Sequence, residues 1–149
     1  MMDESLKLKN QLCFPIYALS RQITAIYRPH LEKLGLTYPQ YLVLMVLWER
    51  KSVTVKHLGE LLWLDSGTLT PLLKRMEANG LLIRKRSSAD ERVVDIIISD
   101  KGKELEKKAE SIPPAIKKAL ETNDEQLVLL REQLKSLLKI TGKCNDNLI

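Results

Sequence analysis

Ser66, Thr68, Thr70, Lys74 and Arg75 are small hydroxyl and cationic side chains that recur through the segment DSGTLTPLLKRMEANG. Interleaved with them are Leu69, Leu72, Leu73 and Met76, at spacings i, i+3, i+4 and i+7. That spacing puts the four apolar side chains on one buried helical face and turns the polar five outward. Hydroxyl, ammonium and guanidinium groups on such a face can enter a DNA groove and meet base edges and phosphates. Ser66, Thr68, Thr70 and Arg75 are candidates for base edges, and Lys74 for phosphate. Further on, Arg84-Lys85-Arg86 and Arg92 add more cations. Between Lys74 and Arg92 stand six basic residues against three acidic ones. A clustered excess of this kind is the electrostatic footprint of a partner with a phosphate backbone, so Arg84 and Arg86 are also phosphate candidates.

The elements that would carry these residues follow from local signals. Leu64-Asp65-Ser66-Gly67 reads as a turn that opens the helix. Asn79-Gly80 closes it, since both types tolerate a left-handed backbone. Leu81–Arg86 and Arg92–Ile98 flank the polar tip Ser87–Glu91, and apolar, β-branched runs on either side of such a tip predict a hairpin. Upstream, Ser52-Val53-Thr54 reads as a brief extended link. Thr54 is placed to cap a helix over Val55–Leu62, where Gly59 allows close approach of a neighbour. Helix, turn, helix and basic hairpin over residues 52–99 make a winged helix-turn-helix. The fold class expected is mainly α with a small β-hairpin wing (α+β).

With 149 residues, 44% of them hydrophobic and 29% charged, the chain has the size and composition of one globular domain, with or without an oligomerisation arm. The formal charge is +5. No apolar run reaches the roughly 18 residues that span a bilayer. Met1–Asn10 is polar, carries both signs of charge and lacks a signal-peptide pattern, so a cytoplasmic location with no membrane partner is expected. Cys13 and Cys144 are too few for a disulfide framework; in a reducing compartment they are free thiols or sensors. His30 and His57 are the only histidines, and no carboxylate or thiol spacing accompanies them. No metal or cofactor is expected, and His57 reads as a surface side chain near phosphate.

Both ends of the chain carry apolar stripes. Gln11–Tyr27 reads helical, with Phe14, Ile16, Tyr17, Leu19, Ile23 and Ile26 covering much of its surface. Pro15 fits the first turn of a helix and is costly in the interior, so the helix starts near Leu12–Pro15 or is bent there, and Cys13 lies at or beside its N-terminus. Pro29 ends or kinks it, and His30–Leu34 is a short separate piece closed by Gly35. Thr37 caps a central core helix over Tyr38–Arg50. After the hairpin, Ser99 caps a helix over Asp100–Ser111, Pro113-Pro114 interrupts, another helix starts near Ala115, and a last one covers Asp124–Ile140. In that last helix Leu127, Leu130, Leu134, Leu137 and Leu138 recur at spacings of three and four. Residues 11–34 and 112–149 are therefore expected to be dimerisation helices around a single domain spanning 1–149. A homodimer would read a palindromic operator in double-stranded DNA, with half-sites about one helical turn apart.

The segment Leu58–Ser99, with DSGTLTPLLKRMEANGLLIRKR and DER at Asp90–Arg92, resembles the MarR family of dimeric bacterial repressors. QLCFPIYALSR at Gln11–Arg21 and LTYPQYLVLMVLWE at Leu36–Glu49 are similar to its organic hydroperoxide repressor (OhrR-type) branch, including staphylococcal redox regulators such as SarZ. The resemblance covers roughly residues 11–116. It implies that organic hydroperoxide oxidises Cys13 in the LCF motif, after which the repressor leaves DNA. It implies that Tyr17, Tyr27 and Tyr38 hydrogen-bond the reactive sulfur. It also implies that Arg92 enters the minor groove, oriented by Asp90. In two-cysteine members a second cysteine resolves the oxidised sulfur; here that is Cys144, which lies late for the role. Otherwise a low-molecular-weight thiol caps Cys13. Pro15 within the LCF helix departs from the branch.

The chemistry is consistent with this. A free thiol with pKa about 8.5 is only roughly 3% thiolate at pH 7, and the thiolate is what attacks peroxide. A helix N-terminus and phenolic donors favour the charged form. Tyr17, four residues on, shares the helical face of Cys13. Tyr27, fourteen residues on, has nearly the same angle but lies some 20 Å along the axis at about 1.5 Å per residue. If the helix continues it cannot reach its own Cys13, but it could reach a partner's if the helices pack antiparallel across a two-fold. Two other readings compete. One keeps the DNA-binding dimer but releases it with a small aromatic ligand near Trp48 or Tyr38. The other is a thiol peroxidase, for which no arginine or glutamate arrangement accompanies Cys13; an enzyme is not expected.

Overall fold

The computed structural model describes residues 3–121 and 123–146, with side chains to 142. It has two compact units, Met1–Pro113 and Pro114–Ile149. After two 3-10 turns at Glu4–Leu6 and Leu8–Asn10, the order is α1 (Cys13–Glu32), α2 (Tyr38–Arg50), β1 (Ser52–Thr54), α3 (Val55–Leu62), α4 (Ser66–Ala78), β2 (Leu82–Arg86), β3 (Val94–Ile98), α5 (Asp100–Ala109), α6 (Ile112–Ala119) and α7 (Asp124–Asp146). This is the expected α+β winged helix-turn-helix.

Caps and termini explain most boundaries. Thr54 Oγ1 accepts the His57 N–H at 3.1 Å and starts α3. Ser99 Oγ accepts from Gly102 N at 3.0 Å and starts α5. Thr37 precedes α2, where its N–H donates to Gln40 Oε1 at 2.9 Å. Pro15 lies in the first turn of α1, where its missing donor costs nothing. Five boundaries differ from expectation. Asp65, not the turn after it, caps α4: its carboxylate accepts the Thr68 N–H at 2.8 Å, so Ser66 and Gly67 are already helical. Pro29 neither ends nor kinks α1 into two pieces. The helix runs on to Glu32, because Leu31 is buried and tertiary packing outweighs the one backbone bond that proline removes. α5 stops at Ala109, short of Ser111. Pro113 and Pro114 do not interrupt a helix but sit in the first turn of α6, which starts at Ile112 rather than near Ala115. α7 runs past Ile140 to Asp146.

The core of the first unit gathers Val43, Leu44 and Leu47 of α2, Leu58 of α3, Leu69, Leu73 and Met76 of α4, Leu82 of β2 and Ile96 of β3. Burying each such side chain contributes about 1.5–3 kcal/mol. Gly59 lets α3 and α4 close on each other: a Cβ there would lie 2.7 Å from the Leu64 carbonyl oxygen. Gly80 alone takes the left-handed backbone after α4, at φ 72°, while Asn79 stays right-handed. Leu81 N then bonds Met76 O at 3.0 Å and Gly80 N bonds Glu77 O at 2.8 Å, which turns the chain straight into β2. The hairpin pairs Leu82 with Ile98 and Arg86 with Val94. The extended link is a third strand: β1 pairs antiparallel with β3, Val53 opposite Ile96, giving the order β1-β3-β2.

In the second unit, Lys117 Nζ lies 2.6 Å from Asp124 Oδ1, tying the end of α6 to the start of α7. On α7, Leu130, Leu134 and Leu138 are exposed, as are Val128, Leu129 and Ile140, while Leu127 and Leu137 are half-buried.

Candidate DNA-reading surface and thiol site

Along α4, Ser66, Thr68, Lys74 and Arg75 are exposed and Thr70 is half-buried. Thr68 Oγ1 donates to Asp65 Oδ2 at 3.0 Å and Thr70 Oγ1 to Ser66 O at 2.7 Å. Both hydroxyls thereby keep lone pairs free to accept from a base amine. The Thr68 bonds, from its backbone N–H first and its hydroxyl second, hold the Asp65 carboxyl below its ordinary value. Arg75 Nε reaches back to Pro71 O at 3.3 Å. A cleft of about 530 Å³ runs between the starts of α3 and α4 and the hairpin, and its lining includes Lys56, Ser66, Thr70, Arg84 and Arg92.

At the tip, Asp90 and Arg92 form a small clamp. Asp90 Oδ1 accepts from Arg92 N at 3.0 Å and from Nε at 3.2 Å, and Oδ2 accepts from Nη2 at 3.4 Å. These bonds, the side-chain ones first, hold the Asp90 carboxyl below its ordinary value. The Arg92 side chain is still 91% exposed, so a carboxylate aims it without burying it. Arg86 is exposed too, whereas Arg84 is half-buried and engaged by Glu77. Its N–H donates to Glu77 Oε1 at 2.9 Å and its Nη1 lies 3.7 Å from Glu77 Oε2. Lys56 in the cleft is a cation that sequence reasoning passed over; its place just after the Thr54 cap was the available signal. His57 bridges Arg50 Nη1 at 3.2 Å and Glu60 Oε2 at 3.1 Å, so its ring already has two protein partners.

The thiol end is arranged differently. Cys13 is the first residue of α1, exposed and in no disulfide. Tyr17, one turn on, is 62% exposed, with the Arg21 guanidinium 5.5 Å above its ring. Among the described residues, no hydrogen bond reaches the Cys13 sulfur. Tyr27 lies on the same unbroken helix and packs against Tyr38, ring centroids 4.9 Å apart. Tyr41 joins them at 6.0 and 6.5 Å and stands edge-on to Trp48 at 5.9 Å. The structure therefore brings Tyr27 and Tyr38 together, and leaves Cys13 and Tyr17 apart from them. Tyr41 was missed by sequence reasoning, although its position three residues after Tyr38 was the signal. Burial raises the phenols of Tyr27, Tyr38 and Tyr41 above their ordinary value, and neighbouring phenols add to this at Tyr27 and Tyr41. All three stay protonated at neutral pH and can donate. The Cys144 side chain lies outside the described residues. Trp48 Nε1 donates to Gly102 O at 2.9 Å, so that indole is already engaged. Beside Tyr38 lies a separate cavity of about 320 Å³.

Among the described residues, no helix is long and apolar enough to cross a membrane. Nor does any group of three His, Cys, Asp or Glu side chains stand together as a metal site.

Residues 25–109 match the model of the transcriptional regulator SarA/Rot family. An organic hydroperoxide resistance transcriptional regulator from Bacillus subtilis is 52% identical over 142 residues, covering 95% of this chain and 97% of the relative. AbfR of Staphylococcus epidermidis has been solved bound to DNA when reduced (36% identity, TM-score 0.75, covering 95% of this chain and 99% of AbfR). It has also been solved bound to DNA when overoxidized (36%, 0.74, 94% and 99%), and in a disulfide form (37%, 0.63, 91% and 95%). The Bacillus relative and the matched family are named as transcriptional regulators, not enzymes, and the hydroperoxide relative does not favour release by an aromatic ligand.

Proposed function

Since this chain belongs to the MarR family of winged-helix transcriptional regulators, in its organic hydroperoxide repressor branch, we propose that it is a homodimeric repressor that oxidation of Cys13 removes from a palindromic operator. The carrying observation is one exposed thiol on the first residue of α1, in a chain half identical to a hydroperoxide regulator. The apolar residues around it, Phe14, Ile16 and Leu19, are exposed within the chain. A second copy would cover them, together with the α7 stripe. In such a pair, with α1 helices antiparallel, Tyr27 and Tyr38 of one copy meet Cys13 of the other and donate to its thiolate.

The thiolate attacks the peroxide oxygen, the O–O bond breaks and an alcohol leaves with a proton. The sulfur becomes a sulfenic acid. A second thiol, from Cys144 or from a low-molecular-weight thiol, then forms a disulfide and releases water. AbfR is seen on DNA even when overoxidized, so we place release at the disulfide, whose bulk or cross-link shifts the two reading heads. Each head uses Ser66, Thr68, Thr70 and Arg75 at base edges, Lys74 and Arg86 at phosphates, and Arg92, aimed by Asp90, in the minor groove. The protein would act in the cytoplasm, where its DNA is.

The test is a gel-shift titration on the tightest duplex that the protein selects from a random pool. Cumene hydroperoxide plus a small thiol should release the wild type and leave Cys13→Ser bound. Release of Cys13→Ser at the same dose rejects the reading. Mass spectrometry of the treated dimer tells a Cys13–Cys144 bridge from a mixed disulfide.

A further inference from the structure

The strand nearest the recognition helix is also an edge. In the order β1-β3-β2, β2 pairs on one side only, and an edge strand leaves backbone donors unpaired. Arg84 N–H is one of them, and Glu77 takes it at 2.9 Å. Glu77 is the penultimate residue of α4, the helix whose first turn carries Ser66 and Thr68. Its second oxygen lies 3.7 Å from the guanidinium of the same arginine. Arg84 stands opposite Ile96, which is fully buried, so it belongs to the inward register of the hairpin. Its Nε is buried and, among the described residues, has no partner. A carboxylate on one element thus holds both the backbone and the side chain of a residue on another.

We propose that Glu77 is a positioning residue for DNA recognition. It locks the hairpin to the end of the recognition helix and so sets where Arg92 lands relative to Ser66 and Thr68; Arg84 is the strut of that lock, not a phosphate contact. The inference rests on the reading of α4 and the hairpin as the DNA-binding surface. Electrostatics alone argues the opposite sign for Glu77. A carboxylate beside a phosphate backbone repels it, so removing one strengthens binding if charge is all that matters. Removing a lock weakens binding to a specific site, because the wing then has to be ordered when DNA binds.

The sign decides, measured on the full-length protein with two probes: the tightest duplex selected from a random pool, and a mixed-sequence duplex without that site. Glu77→Ala should weaken the selected duplex by about tenfold, the scale of a hydrogen bond to a charged group. It should change the mixed duplex by less than about twofold, because non-specific binding rests on phosphate contacts. Glu77→Gln keeps an oxygen for the Arg84 N–H and should restore most of the loss. Arg84→Met keeps the backbone N–H and loses only the side-chain contact, so it should weaken the selected duplex less than Glu77→Ala does and leave the salt slope unchanged. Tighter binding by Glu77→Ala overturns the proposal, as does a fall of about one in the salt slope with Arg84→Met, the mark of a lost phosphate contact. If Glu77→Ala does not fold, Glu77→Gln and Arg84→Met decide on the same criteria. Arg92→Ala is the control: if it matches wild type on both duplexes, the DNA-binding surface itself has been misassigned.

Discussion

The reading head and the thiol end of this chain are finished to different degrees. Around α4 and the hairpin every apolar side chain of the helical stripe is buried, the helix is capped by Asp65, and Asp90 already grips Arg92. Around Cys13 nothing is closed: the thiol, Tyr17, Phe14, Ile16 and Leu19 are all exposed, and the half-buried phenols of Tyr27 and Tyr38 lie elsewhere. A surface that must fit rigid DNA is preorganised within one chain, which lowers the ordering cost of binding. On the proposed reading, a site that reports a chemical event to two heads at once is better placed where two chains meet, because only there can one sulfur affect both.

The largest effect expected from breaking this contrast comes at the open end. Ile16→Glu combined with Leu134→Glu should convert the proposed dimer to a monomer in sedimentation. Binding to the selected duplex should fall by at least about a hundredfold, since one head forfeits the second half-site. A protein that stays dimeric after both changes would show that these stripes do not pair. Next comes the core of the closed end. Leu69→Ala should cost about 2–5 kcal/mol of folding stability in chemical denaturation. Because that side chain packs within one chain, the loss should be independent of protein concentration, whereas the loss from Ile16→Ala should depend on it.

Arg92→Ala should weaken the selected duplex by about 1–3 kcal/mol, with Asp90→Ala giving a smaller loss of the same sign. The Asp90 carboxyl is held low, so its grip is complete above the usual carboxylate pKa of about 4 and fades only as pH falls through the depressed folded value. The Arg92→Ala loss should therefore be equal at pH 6 and pH 8. Burial raises the phenols of Tyr27 and Tyr38, which meet the thiol only in the proposed dimer, above their ordinary value. Stopped-flow oxidation of Cys13 between pH 6 and 9 should show one rising limb, from the thiol; a falling limb in that range would mean that a phenol ionises. The smallest change is at Lys74. Lys74→Ala should lower the salt slope by about one and weaken both duplexes alike.

Much of this arrangement was legible in the residues. Leucines and Met76 at helical spacing named the buried face of α4, and Thr54 and Ser99 named two helix starts. The family resemblance, through its D-x-R triplet, pointed to a clamp that the structure contains. Less legible were interactions between elements far apart in sequence. Ser52-Val53-Thr54 became a strand only because β3 lies beside it. The helix crossed Pro29 because Leu31 found a core.

Short-range physics was decided by the amino-acid order alone: caps, helical periodicity, the Gly80 turn and the place of Cys13 at a helix start depend on neighbours within about one turn. What only the three-dimensional packing decided was partnership. Arg84 reads as one more cation in Arg84-Lys85-Arg86, yet its position opposite Ile96 turns it inward, where a carboxylate oxygen of Glu77, from another element, lies 3.7 Å from its guanidinium. Tyr27 and Tyr38, eleven positions apart, became one cluster with Tyr41 because α1 and α2 pack together. Side-chain charge and hydrogen bonding act through space over a few ångströms, and which residues share those ångströms is settled by the fold.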